Sequence, residues 1–170
     1  MNTVIIQRGV PGQGKSFLTA QLTKSVDQNK YAVCSADHFM HVNGVYQFEQ
    51  KKLGYAHAKC REKFDDALRR QVPLIIVDNT NTVFSEMKPY IEAANDNKYE
   101  ILLMEPQTEW AKDPQECFKR NQHGVPLAAI ERMLARFHTS EYVVEKSKYE
   151  LAAVVKIATL SKDGQYVYTK

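Results

Sequence analysis

Gly9-Val10-Pro11-Gly12-Gln13-Gly14-Lys15-Ser16 decides how this chain is read. The octet fits G-x-x-x-x-G-K-[ST], a loop whose glycines let successive backbone N–H groups curl round a phosphate without side-chain interference. Before it, residues 3–8 form a short β-branched run that Gly9 stops. After it, residues 15–28 have helical spacing, with Phe17, Leu18, Leu22 and Val26 expected on one face. Strand, glycine loop and helix N-terminus in that order make a phosphate cradle, the helix end adding partial positive charge. Gly9, Pro11, Gly12, Gln13, Gly14, Lys15 and Ser16 are therefore the expected nucleotide-binding set. Lys15 is placed to reach the β- and γ-phosphates and Ser16 to ligate Mg²⁺.

The rest of the composition sharpens that signal. The 170 residues contain only seven glycines, and Gly9, Gly12 and Gly14 fall within six positions. Apolar residues at 44% and charged residues at 25% are ordinary for a globular protein and exclude a fibre, a disordered tail or a disulfide scaffold. A net charge of +3 tolerates a polyanionic ligand without demanding one. Cys34, Cys60 and Cys117 are far apart and form no CxxC pair, so neither a disulfide framework nor a zinc site is expected. With no long apolar stretch, the chain is expected to be cytoplasmic and to have no membrane partner.

Strand-like and helix-like segments alternate from end to end. Residues 31–34 read as a second strand. From about 49 to 70, Leu53, Ala56, Cys60, Phe64, Ala67 and Leu68 mark a long amphipathic helix with a charged outer face. Leu74-Ile75-Ile76-Val77 is a continuous apolar run suited to a strand buried on both faces of a parallel sheet. A helix over 84–95 and a strand over 100–104 follow. The expected fold is α/β, a doubly wound, mainly parallel sheet. Asp113 as N-cap, Pro114 at the first helical position and Glu116 in a capping box start a short helix. Gly124 and Pro126 then turn the chain into a second helix with Ile130, Met133, Leu134 and Phe137 on one face. This pair reads as a small lid over about 112–137 of a single domain covering 1–170. Beyond it, an extension over about 138–170 contains Lys162-Asp163-Gly164, read as the turn of a C-terminal β-hairpin.

Two acids and several arginines complete the candidate site. Asp78 ends the apolar strand; there a carboxylate either holds a Mg²⁺-bound water beside the phosphates or caps the next turn. Asp37, just after the second strand, reaches the same rim of the sheet, where it is placed to take a proton from an attacking hydroxyl. Alone it would read as a turn residue. Arg120 is the first choice for a lid cation over the γ-phosphate and Arg136 the second. The five histidines show no ligand spacing, and Trp110 and the tyrosines read as packing.

Together these segments resemble the polynucleotide-kinase-like P-loop family, which includes polynucleotide 5′-hydroxyl kinases and the N-terminal domain of cyclic-nucleotide phosphodiesterase. The resemblance spans about residues 3–137. It rests on the P-loop, Ser35-Ala36-Asp37, Val77-Asp78-Asn79-Thr80-Asn81, Glu105-Pro106 with Trp110, and Arg120-Asn121 with His123-Gly124-Val125-Pro126. It implies a P-loop kinase fold using ATP and Mg²⁺, with Asp37 as general base, Lys15 and Ser16 as nucleotide and metal ligands, and Arg120 as the lid arginine. One departure stands out. Where phage-type members carry an arginine that grips the phosphate next to the accepting hydroxyl, this chain has Met40. The resemblance points to a nucleic-acid 5′-OH as acceptor. Met40 keeps open a nucleoside, a modified-base hydroxyl or another small molecule. A nucleotide-binding switch without transfer is the reading from another class, and Asp37 with Arg120 argues against it.

Overall fold

The computed structural model describes residues 1–147, 153–156, 159–160 and 166–167, with side chains as far as Ser147. In chain order the elements are β1 (Thr3–Gln7), α1 (Lys15–Thr23), β2 (Tyr31–Cys34), β3 (His41–Val42), β4 (Val45–Tyr46), α2 (Leu53–Arg69), β5 (Leu74–Asp78), α3 (Phe84–Asp96), β6 (Glu100–Glu105), α4 (Pro114–Arg120), α5 (Leu127–Ala135), α6 (Ser140–Lys146), β7 (Ala153–Lys156), β8 (Thr159–Leu160) and β9 (Tyr166–Val167). Five strands form one parallel sheet in the order β2-β5-β1-β6-β7. Strand β1 is central, with Ile5 opposite Ile76 on one side and Leu102 on the other.

The period of two along β1 sorts its side chains between two helical layers. Val4 and Ile6 join Phe64, Ala67, Met87, Ile91 and Val143 in the larger core, built with α2, α3 and α6. Ile5 points the other way, to Leu18 of α1, Ile76 and Met104. Helices on both faces of a parallel sheet make the doubly wound α/β arrangement the alternation predicted. Each fully buried aliphatic or aromatic side chain stabilises it by about 1.5–3 kcal/mol.

Three expectations needed adjustment. Helix α1 stops at Thr23, and within it Leu18 and Thr19 are buried while Phe17 is 44% exposed. Phe17 lies about 100° round the helix from Leu18, and the sheet offers α1 only a narrow contact stripe. Leu53 likewise sits exposed at the start of α2, although Ala56, Cys60, Phe64, Ala67 and Leu68 are buried as expected. At α4 the Asp113 side chain does accept from the Gln115 and Glu116 N–H groups. Glu116 does not reach back to close a capping box; its carboxylate takes Lys119 Nζ at 2.8 Å instead.

Three features had not been anticipated: the β3–β4 hairpin, strand β7, and helix α6, which puts Val143 into the larger core. Asn43 (φ 52°) and Gly44 (φ 78°) turn the β3–β4 hairpin, the left-handed pair that a two-residue type I′ loop requires. Strand β7 adds a fifth parallel strand beside β6. The C-terminal hairpin is present as β8 paired antiparallel with β9; its expected turn, Lys162-Asp163-Gly164, lies outside the described residues. Among the described residues no helix is long and apolar enough to cross a membrane.

Candidate functional site

The P-loop leaves the C-terminal end of the central strand, where ligands bind in open parallel sheets. Gly12 (φ 81°) and Gly14 (φ 110°) take left-handed conformations. Gly14 is the N-cap of α1, which starts with no capping side-chain hydrogen bond and no acid in its first turn. A helix end built this way presents its N–H groups and partial positive charge to an anion. Inside the loop, Gln13 Oε1 accepts from the Val10 N–H at 2.8 Å, and Lys15 Nζ donates to the Val10 carbonyl at 3.2 Å. Ser16 is exposed at the mouth. Pro11 is buried beside the loop glycines.

Both predicted acids act on Lys15. Burial pulls the Lys15 ammonium below its usual pKa, while the negative charge of Asp78, and then that of Asp37, pushes it back up. Asp78 does not cap a turn. Its Oδ2 accepts from Thr19 Oγ1 at 2.9 Å, and Thr19 Oγ1 in turn accepts from Gln7 Nε2. This chain ties the end of β5 to α1 and to the end of β1. The next residue reaches across the rim, Asn79 Oδ1 accepting from the Ala36 N–H at 2.9 Å. That contact fixes the 3₁₀ turn Ala36–Phe39, which carries Asp37. Nearby, burial and then Lys63 lower the His38 pKa, with Asp78 and Asp37 opposing.

The lid packs directly on the P-loop. Val10, Cys117 and Ile130 are buried together, with Trp110, Val125, Met133, Leu134 and Phe137 against them. Trp110 Nε1 donates to the Gly12 carbonyl at 3.0 Å. A β-carbon on Gly12 would lie 2.0 Å from the Cys117 carbonyl oxygen, so the backbones of loop and lid meet where only glycine fits. Arg120 lies with its guanidinium 3.7 Å from the Trp110 ring centroid and 3.6 Å from Glu116. Arg136 is placed elsewhere, its Nη2 3.6 Å from Glu86 of α3. Gly124 (φ 65°) supplies the turn between α4 and α5.

Met40 faces inward. It is 3% exposed in the larger core, so position 40 offers no side chain to a ligand. The side chains that do approach Asp37 are Tyr46, whose hydroxyl donates to Oδ1 at 3.2 Å, and His123, whose Nε2 stands 3.5 Å from Oδ2. Sequence reasoning gave neither a role, although His123 lies in the quoted Arg120–Pro126 segment; Asn43-Gly44 between valines was the available hairpin signal that would have delivered Tyr46 to the site.

Arg8, which breaks the apolar run before Gly9, is the other omission. It is fully buried, paired with Glu105 at 2.6 Å and donating to the carbonyls of Asn81 (3.0 Å), Thr82 (3.3 Å) and His138 (2.6 Å). Its guanidinium also sits 4.6 Å from the Phe137 ring centroid. Arg8 thereby binds the root of the P-loop to the point where the chain leaves the lid.

The donor set suits a nucleotide with a hard cation. The glycine cradle, the uncapped helix end and Lys15 match phosphate, while the Ser16 hydroxyl and Asp78 carboxylate are oxygen ligands of the kind Mg²⁺ takes. Human NEDD4-binding protein 2 is 40% identical over 134 residues, covering 79% of this chain and 8% of that protein. Rat 2′,3′-cyclic-nucleotide 3′-phosphodiesterase is 28% identical over 134 residues, covering 77% of this chain and 30% of the relative. The chain thus spans less than a third of either relative's length. In fold it is similar to a chain of the Pnkp1/Rnl/Hen1 RNA repair complex, with TM-score 0.62, 16% identity, and coverage of 88% of this chain and 47% of that one. It is similar also to a gluconokinase from Sinorhizobium meliloti 1021, with TM-score 0.55, 11% identity, and coverage of 95% and 83%. Residues 4–139 match the family described as AAA domain, so the chain belongs to that family and carries a P-loop kinase-like fold.

Proposed function

We propose that this chain is an ATP- and Mg²⁺-dependent kinase that transfers the γ-phosphate to a hydroxyl of a nucleic acid, best a 5′-OH. The observation that carries the reading is that Asn79 Oδ1, accepting from the Ala36 N–H at 2.9 Å, holds the turn bearing Asp37 against the Asp78 end of β5, so two carboxylates share the P-loop rim of the sheet. A protein that only held a nucleotide would need no second carboxylate at that place. The likeness to a chain of an RNA repair complex supports a nucleic-acid acceptor.

Lys15 and the loop N–H groups hold the β- and γ-phosphates. Ser16 and Asp78 would hold Mg²⁺, which would supply charge neutralisation at the phosphates. Asp37 accepts the proton of the acceptor hydroxyl as its oxygen bonds to the γ-phosphorus and the bond to the β–γ bridging oxygen breaks, releasing ADP. Arg120, carried at the end of α4 beside the loop, supplies positive charge to the transferring group once it leaves the Trp110 face. Arg136 has a supporting nucleotide contact only if it gives up Glu86.

Labelled ATP with 5′-OH oligonucleotides tests the reading. Transfer that falls roughly 10²–10⁴-fold in Asp37→Ala supports it, the range a positioned base contributes. Transfer unchanged in that variant refutes the base. The burial of Met40 favours keeping a small-molecule acceptor as the second reading, since position 40 cannot grip a neighbouring phosphate. A screen in which only free small molecules accept phosphate selects it.

A further inference from the structure

Three separate stretches of chain meet at the Asp37 carboxylate. Tyr46 arrives from the β3–β4 hairpin and donates to Oδ1 at 3.2 Å. His123 arrives from the α4–α5 loop, its Nε2 3.5 Å from Oδ2. The two rings lie against each other with centroids 4.4 Å apart, closing a triangle round the acid. Burial, then the charge of Asp37 and the bond to it, raise the Tyr46 pKa, so its phenol stays a donor.

The loop that presents His123 is held in shape. Asn121 Oδ1 accepts from the N–H groups of His123 (3.2 Å) and Val125 (3.0 Å), while Asn121 Nδ2 donates to the Phe118 and Val125 carbonyls. The helix before it, α4, touches the P-loop backbone through Cys117 and Gly12. Seating the lid on the P-loop and bringing His123 to Asp37 are therefore one event. The ring gains nothing for the fold from its other nitrogen, since Nδ1 is buried with no hydrogen-bond partner among the described residues. What Nε2 faces accounts for its place.

We propose that His123 is a positioning residue for Asp37, delivered by lid seating, which together with Tyr46 sets the orientation of the carboxylate towards the incoming hydroxyl. This rests on the reading of Asp37 as the base. The His123 contact at 3.5 Å is the looser of the two, so Oδ2 is the oxygen at which the acceptor hydroxyl donates, on its second lone pair, while Tyr46 holds Oδ1 and the imidazole steadies the carboxylate from the lid side.

The test uses the full chain, labelled ATP and a 5′-OH oligonucleotide, with His123→Ala, His123→Gln, Asp37→Ala and the double variant. His123→Ala is expected to lower kcat roughly 10–100-fold with KM for ATP unchanged, the scale of a misplaced reacting group. His123→Gln, which keeps an N–H donor at similar reach, restores most of the loss. In the Asp37→Ala background His123→Ala has no further effect, because it acts through the acid. A second measurement needs no turnover: the His123 ring resonances shift in Asp37→Asn while those of His57, on the exposed side of α2, stay. A His123→Ala kcat within about twofold of the parent, or losses that multiply in the double variant, overturns the proposal. Unmoved ring resonances overturn it too. If the parent phosphorylates no oligonucleotide, the nucleic-acid reading fails, and the resonance measurement still decides the His123–Asp37 contact.

Discussion

Replacing Gly12 by alanine separates two costs that the same residue carries. The left-handed φ of 81° alone costs a non-glycine residue about 1–2 kcal/mol. The new β-carbon would also lie 2.0 Å from the Cys117 carbonyl oxygen, 2.8 Å from its carbon and 3.0 Å from the Asn121 nitrogen. Carbon–oxygen contacts settle near ~3.3 Å, so α4 must move by more than an ångström or the loop must deform. Both are backbone, with no flexible side chain to yield, and overpacking of this kind adds about 1–3 kcal/mol. The sum is about 2–5 kcal/mol. Gly124→Ala is the control, since its φ is 65° but nothing lies within 4 Å of the added carbon; it should cost only about 1–2 kcal/mol. With a urea slope of about 2 kcal/mol per molar, Gly12→Ala should lower the midpoint by about 1–2.5 M, against about 0.5–1 M for Gly124→Ala. Trp110, the only tryptophan, loses its bond to the Gly12 carbonyl, so its emission should shift in the native baseline as well. Coincident midpoints for the two variants would refute the close approach of lid and loop.

Arg8→Ala should destabilise by about 3–5 kcal/mol in denaturant titration by leaving Glu105 and three carbonyls without their partner; Arg8→Lys should not rescue it, because an ammonium cannot span that fork. Lys15→Met should abolish nucleotide-induced stabilisation yet raise the Tm of the nucleotide-free protein by about 2–4 °C for each kcal/mol gained. Burial depresses the Lys15 pKa below its unfolded value, so the folded state releases that proton first; the gain in Lys15→Met should shrink as pH climbs towards 10.5. All three cysteines are buried, and burial pushes the Cys34 thiol up to about 12, so a thiol-specific dye should label the native protein slowly and label three groups on unfolding. The stability linked to neutral Cys34 is whole below the unfolded value of 9.0 and falls as pH rises towards 12.

What could be read from the sequence was local in character. The phosphate loop, the apolar strand ending in Asp78 and the Asp113-Pro114 helix start each announce themselves within ten residues. Their placement along a parallel sheet follows from handed crossovers, which is why Asp37 and Asp78 could be assigned to one rim beforehand. The roles of Gln7 and Arg8 were not legible, because two polar residues after a strand look like its end. Their partners lie far along the chain, at Thr19, Asn81, Thr82, Glu105 and His138. The roles of His123 and Tyr46 were hidden because each rests on a meeting with Asp37, 86 and 9 positions away respectively. Strand β7 was obscured because a parallel edge strand of four residues carries too little periodicity to stand out.

The central place of β1 has a consequence for how the molecule is made. Ile5 is flanked by Ile76 and Leu102, residues 71 and 97 positions later. A ribosome adding about 5–20 residues per second needs roughly 5–20 s to supply the second neighbour. Through that interval Val4, Ile5 and Ile6 wait without their strand partners, an apolar segment left uncovered on the nascent chain. The phosphate loop precedes both neighbouring strands in the chain and takes shape only once β5 and β6 have emerged. Variants that weaken β6 should therefore show themselves as poor yield during synthesis, in excess of what the equilibrium stability of the finished protein foretells.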